Sequence, residues 1–420
     1  SLAEAMRSDD GDGEEAAGSA VAGLRRRLNA CYRQLARPDA GRAGAQRLHD
    51  EACRLEAALL EASRRESQLH AGRRAGAAAP AELDCAALIE ALGAHTALVE
   101  YCALDGALHA FVVGDGTVRV QRLDVTEAQV AAALEQLRFQ IDTLRHGSDR
   151  LRHRLPELQR RALHHLQRLH AWLWAPLAAR LGERRAVVVP HAELHYLPFE
   201  ALHDGARFEI ERREMARCPS AQVLLQCLAR PAGGFDSAIV LGHADERLPF
   251  VAREVDAVAA RFPAAVVLKG GAARATELRA QQAGADVVHI ACHAQFRNDN
   301  PRFSALYLVD GVLTAHDVAR LRLPCQLLAL SACETAVAHV LPGNEPIGLT
   351  HAFLATGAPT VLASLWTVQD EATADFMARF YERLRAERQP ARALREAQLG
   401  MLGAHSHPYF WAAFALHGRW

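Results

Sequence analysis

Two apolar runs of the same form dominate the second half of the chain: Asp286-Val-Val-His-Ile-Ala-Cys-His293 and Gln326-Leu-Leu-Ala-Leu-Ser-Ala-Cys333-Glu-Thr335. Short, near-continuous apolar stretches bounded by polar turns are what strands covered on both faces look like, and such strands belong to parallel sheets. Ligands of open α/β sheets bind outside the carboxyl ends of the strands. If the two runs are neighbours, His293 and Cys333 emerge side by side at that edge. A free thiol, with a pKa of about 8.5, is only a few per cent thiolate at neutral pH, and an imidazole within reach supplies the missing base. The same residue types also fit a strand interior, where cysteine packs as a small hydrophobe. Spacing alone leaves both readings open.

Composition narrows the setting. A chain of 420 residues exceeds the size at which one core stops growing, so two or three domains are expected. Half of the residues are hydrophobic and the formal net charge is −1, which argues against nucleic acid or an anionic membrane as a partner. Lys269 is the only lysine. The odd number of scattered cysteines fits a reducing cytoplasm, and no run approaches a membrane span. Ser1 in place of Met leaves room for a longer native N-terminus.

Residues 1–20 are acidic and Gly-rich and are expected to be mobile. Residues 21–80 read as a helical hairpin and linker, with Leu24, Leu28, Tyr32 and Leu35 on one stripe and Leu48, Cys53, Leu55, Leu59 and Leu60 on the other. Residues 81–232 form an α+β half. Its strands are 97–104, 107–113 and 117–122, parted by hairpin signals, followed by helices 127–145 and 157–181 and a strand at 185–189. On the second helix, His164, His165 and His170 are read as solvated. Residues 233–420 alternate strands (237–241, 266–268, 287–292, 305–309, 327–332, 360–364) with helices (249–262, 276–283, 314–320, 348–355, 370–384), with Thr276 and Thr314 as N-caps. The fold class is therefore α/β: a mostly parallel sheet with helices on both faces, preceded by an α+β half and an N-terminal helical segment.

Ala-Cys-His293, Leu-Ser-Ala-Cys333-Glu-Thr335, the Gly348–Gly357 segment, Ser364-Leu-Trp366 with Asp370, and His407-Pro-Tyr-Phe-Trp411 together resemble the CHAT family of caspase-like, separase-related cysteine peptidases. Val188-Val-Pro190 and Leu197-Pro-Phe-Glu-Ala-Leu202 resemble that family's N-terminal, pseudo-caspase-like half, so the resemblance spans roughly residues 95–420. It implies a cysteine endopeptidase with His293 as base and Cys333 as nucleophile. The backbone N–H groups of Ala294 and Cys333 would serve as oxyanion donors, with no cofactor and no metal. It further implies a protein substrate in bacterial defence or regulated cell death, of which a gasdermin-like pore former is one class. An activator would bind the N-terminal helical segment. The family usually carries Gly after the histidine; Ala294 lacks the freedom of Gly at positive φ, so a strained loop or a mis-aimed donor is expected. That departure keeps an inactive CHAT scaffold or signalling protein as the alternative.

Trp366 and Asp370 are expected to form the wall and charged floor of the pocket for the residue before the cut, which favours Arg or Lys. Asp370 is also a good N-cap for the helix it opens. His289, Cys292 and His293 are zinc-ligand types, but strand alternation sends Cys292 and His293 to opposite faces. No G-x-S-x-G, P-loop or G-x-G-x-x-G is present. His191, His195 and His243 read as ordinary surface or core histidines.

Overall fold

The computed structural model describes residues 21–32, 34–35, 42–71, 83–145, 151, 153–245, 248–281, 284–297, 300–319, 321, 323–332, 339–341, 345–368 and 370–420. The chain divides into two compact units, Ser1–Glu82 and Leu83–Trp420.

In the first unit, residues 21–32 are helical and a second helix spans Arg42–Ala71. Leu28, Tyr32, Leu55 and Leu59 are buried as their spacing predicts, whereas Cys53 is exposed. Ala52, Glu56 and Ser63 are buried in its stead. Glu56 escapes the apolar pattern because its carboxylate has a hydrogen-bond donor at hand, accepting the Tyr32 hydroxyl at 2.6 Å.

The second unit is built on one large sheet. Its strands are β1 (Thr96–Leu104), β2 (Ala107–Gly114), β3 (Thr117–Thr126), β4 (Arg185–Val189), β5 (Met215–Arg217), β6 (Ser237–Gly242), β7 (Ala264–Lys269) and β8 (Val287–Ala291). A small sheet follows, β9 (Ala294–Gln295), β10 (Ala305–Leu308) and β11 (Gly311–Thr314), then β12 (Leu327–Ser331), a hairpin of β13 (His339–Leu341) and β14 (Glu345–Ile347), β15 (Thr360–Ser364) and β16 (Phe414–Gly418). Among the described residues the large sheet has eleven strands in the order β3-β2-β1-β4-β5-β16-β15-β12-β8-β6-β7. β1, β4, β5 and β16 run parallel to one another, and so do β15, β12, β8, β6 and β7. β16 pairs antiparallel with β15, so the two halves point in opposite directions and the C-terminal strand joins them.

β8, β12, β15 and β16 are buried at every position, as runs covered on both faces must be. Each Leu or Val so removed from water stabilises by about 1.5–3 kcal/mol. β4, β15 and the helix Glu127–Arg145 match the bounds expected from periodicity.

Three local expectations are corrected. The helix expected over 157–181 is interrupted: after Leu155–Leu169 it widens into a π turn at His170–Trp174. The extra residue rotates the face that follows. His170, the first residue of that turn, continues the buried face of Ala162, Leu166 and Leu169 and is buried instead of solvated, its Nε2 3.3 Å from Glu209. Burial pushes the Glu209 carboxyl up, and His170 and Arg213 outweigh it, so the net shift is downward. Second, Thr276 is not an N-cap but lies inside the helix Ala275–Ala280. The cap comes from Asp310, whose carboxylate accepts the N–H groups of Ala275 and Thr276 and the Thr276 hydroxyl. Thr314 does cap its helix, reciprocally with Asp317. Third, Ala294 is absent from the described residues with positive φ; it sits in β9. The expected strain does not arise.

Candidate active site

The chain leaves β6 outward to edge strand β7 and returns to β8 on the other side of β6. The carboxyl ends of β6 and β8 are thus a topological switch point, where adjacent strands send their connections in opposite directions and open a crevice. His293 follows the end of β8 by two residues, and Asp245 follows the end of β6 by three. His293 Nε2 lies 3.0 and 3.1 Å from the two oxygens of Asp245. Their side chains are 25% and 36% exposed, so this is an open pair within reach of solvent.

Both partners are held from behind. The His243 N–H donates to Ala291 O at 2.9 Å, tying the loop after β6 to the end of β8. Asp245 accepts the Leu248 N–H through its carboxylate and its carbonyl. On the other side, Tyr307 N–H donates to His293 O at 2.9 Å, and Ala294 stands opposite Leu306. In an antiparallel ladder the groups of successive residues point alternately toward and away from the partner strand. His293 O faces β10, so the Ala294 N–H faces away from β10.

β12 lies in register beside β8, from Leu327 opposite Val287 to Ser331 opposite Ala291. Cys333 follows Ser331 by two residues, as His293 follows Ala291, but Cys333 and its backbone N–H lie outside the described residues. Trp366, just past β15, is 6% exposed, with its indole N–H donated to Tyr409 O at 3.1 Å. It borders a cavity of about 40 Å³ shared with Cys292, Ser331, Ala332, Ser364 and Glu254. Asp370 is the first residue of the helix Asp370–Glu387, and its side chain lies outside the described residues.

The remaining histidines separate by depth. His191 pairs with Glu127 at 3.0 Å, and His243 is half-buried. His195 is buried, which with His351, Arg217 and His191 nearby lowers its pKa to about 3. Among the described residues no group of three or more His, Cys, Asp or Glu is placed to hold a metal ion, and no helix is long and apolar enough to cross a membrane.

Asp245 is the site residue that sequence reasoning misses. Its local signal is only a polar loop after an apolar run; its importance comes from strand order, which places β6 beside β8.

The family model of the CHAT domain matches residues 163–419. Tetratricopeptide repeat protein 28 of Homo sapiens is 40% identical over 109 residues, which is 26% of this chain and 4% of that protein. The Mus musculus protein of the same name is 38% identical over the same length. The chain thus spans about 4% of the length of the curated relatives it matches. Among solved structures, the Saccharomyces cerevisiae separase–securin complex aligns with a TM-score of 0.58 at 12% identity, covering 79% of this chain and 30% of that one. A second structure of that complex gives a TM-score of 0.56. At such identity the likeness concerns the fold, which is caspase-like.

Proposed function

The chain belongs to the CHAT domain family, and from that premise we propose that it is a cysteine endopeptidase with His293 as base and Cys333 as nucleophile. The observation that carries this reading is the contact of His293 Nε2 with Asp245 at the switch point. A carboxylate at Nε2 favours the tautomer protonated there, which leaves Nδ1 with a lone pair for a thiol proton. A base oriented by a third group is the arrangement that an activated nucleophile needs.

In the reaction the Cys333 thiol passes its proton to Nδ1 and the thiolate adds to the substrate carbonyl carbon. The carbonyl oxygen takes the negative charge, with the Ala294 and Cys333 N–H groups as donors. The imidazolium then protonates the departing amine and leaves a thioester. Water, deprotonated by His293, hydrolyses it and restores the thiol. A peptide carrying a cysteine-reactive electrophile tests this: it should label the wild-type chain and not Cys333→Ala. Equal labelling of both ends the peptidase reading and leaves an inactive CHAT scaffold or signalling protein.

Trp366 and Asp370 form the pocket for the residue before the cut, and the Trp366–Tyr409 hydrogen bond supports a rigid wall there. Asp370 also opens a helix, where an N-cap belongs. A peptide library read with wild type and Asp370→Asn separates the roles: a basic preference lost in the variant keeps Asp370 in the pocket, and one that survives makes it a cap.

The substrate is a specific protein partner, in bacterial defence or regulated cell death, with a gasdermin-like pore former as the class to try first. That yeast separase is solved with securin supports a protein partner. The reaction is assigned to the cytoplasm, and the helical segment 21–80 receives the activator. An unchanged rate after deletion of residues 1–80, with and without activator, would remove that role.

A further inference from the structure

Behind the open pair, and separate from it, lies a chain of polar groups with no access to solvent. Glu254, on the helix Val251–Ala259, is 1% exposed; its Oε1 lies 3.1 Å from His289 Nε2 on β8, which is wholly buried. His289 Nδ1 lies 3.0 Å from the hydroxyl of Tyr381, on the helix Asp370–Glu387. The two rings meet edge to face, with centroids 5.5 Å apart. A carboxylate, an imidazole and a phenol in this position are costly where Val or Leu would pack without loss, and such groups are kept when they specify one arrangement of their neighbours. With the Tyr381 O–H donating to Nδ1, the ring proton sits on Nε2, 3.1 Å from Glu254 Oε1, although neither of those two atoms completes a hydrogen bond among the described residues. Burial pushes the Tyr381 phenol well up, so it stays protonated and able to donate.

Glu254 reaches two further elements. It borders the cavity of about 40 Å³ together with Ser331, the last residue of β12, and Thr367, which follows Trp366. The hydroxyls of Ser331 and Thr367 are buried with no hydrogen-bond partner among the described residues. A polar cavity above roughly 10–15 Å³ with such partners suits one bridging water. The helix that carries Glu254 also connects back to Asp245 by hydrogen bonds: Glu254 N–H to Phe250 O, Val251 N–H to Leu248 O and Leu248 N–H to Asp245.

We propose that Glu254 and His289 are positioning residues: their pair locks the helix Val251–Ala259 onto β8 and so sets the loop that holds Asp245 against His293. The kinetic consequence rests on the peptidase reading; the geometric one does not. Glu254→Gln puts a carboxamide of the same shape in place of the carboxyl group, and the loop then shifts relative to His293.

Side-chain 15N NMR on the histidine-labelled 420-residue chain reads the proton position at His293 without needing turnover. The wild-type chain should show the Nε2–H tautomer, and Glu254→Gln and Asp245→Asn should each show a mixture. Tyr381→Phe, which keeps the ring, should show a smaller shift in the same direction and stands in if Glu254→Gln does not fold. In turnover, Glu254→Gln should lower kcat about 10-fold with KM within twofold, and should cost less than twofold when added to Asp245→Asn. An unchanged His293 tautomer in the variants overturns the proposal, as does a full 10-fold loss in the Asp245→Asn background. A wild-type chain with the expected tautomer and no turnover sinks the peptidase reading and leaves the positioning intact.

Discussion

At the end of β5, Arg217 is 2% exposed and pairs with Glu200 at 3.0 Å, while its guanidinium also donates to His195 O and Leu197 O and lies 5.5 Å from the Phe199 ring. At the end of β8, His293 pairs with Asp245 at the same 3.0 Å but in the open. Both halves of the sheet thus pair a cation-capable residue just at or past the end of a parallel strand with a carboxylate from a connecting segment. The first pair is enclosed, and backbone carbonyls take up two of the guanidinium's donors, while Arg217 Nε is buried with no hydrogen-bond partner among the described residues. The second is only partly desolvated and keeps a ring nitrogen for other work. One half encloses its pair and the other leaves its pair open to solvent, so mutation should divide the two cleanly.

The widest separation is expected from His293→Ala. Turnover should fall about 10⁶-fold, the order of magnitude seen when the base of a nucleophile–base unit is removed, with the urea midpoint nearly unchanged because the side chain is open to solvent. A variant that unfolds more easily would make His293 a structural residue like Arg217.

Arg217→Ala should do the reverse. Removing one partner leaves Glu200 buried and uncompensated, a loss of about 3–5 kcal/mol visible in urea unfolding. Retained stability would mean that Glu200 finds another partner or takes up a proton.

Acid should strain the seam between the halves. Burial, then Arg217 and the neighbouring histidines, depresses His417 well below its ordinary range, while His195 sits at about 3 and His351 at about 4. His407, beside the C-terminal strand, is also lowered to about 4 by burial. Each is neutral in the fold and takes up a proton when unfolded below a pKa of about 6.5. The stability they contribute is complete above that value and is lost as pH falls from about 6.5 toward 4, at up to roughly 1.4 kcal/mol per pH unit for each group. Urea midpoints at pH 7.5, 6 and 5 measure it; a flat profile would show these histidines unburdened.

The smallest effect is Asp310→Ala, which removes the cap on the helix Ala275–Ala280 and should cost about 1 kcal/mol with no change in turnover. A large loss of activity there would mean that the loop after His293 depends on this anchor more than its own pairing with β10 implies.

Reading the chain without its fold succeeded wherever the answer was local. β4, β15 and the helix Glu127–Arg145 follow from periods of two and 3.6 residues, and Thr314 caps its helix with a neighbour three residues away. It failed where the partner came from far along the chain. Thr276 is served by Asp310, and His170, at the start of a π turn, faces Glu209, 39 residues further along the chain. Ala294 suggested strain, yet its pairing with Leu306 gives it an ordinary strand conformation.

The sequence by itself determined the layered α/β class, most strand and helix bounds, and His293 at the carboxyl end of a buried strand, because burial on both faces leaves its mark in every residue of a run. Only the tertiary structure decided that β6 lies beside β8, and with that the partnership of Asp245 with His293 and of Glu254 with His289. A strand's own residues specify that it is buried and which way its side chains alternate. They do not specify its neighbour, since any apolar run of like length packs against any other. That choice is made by connections and helices competing for the faces of the whole sheet.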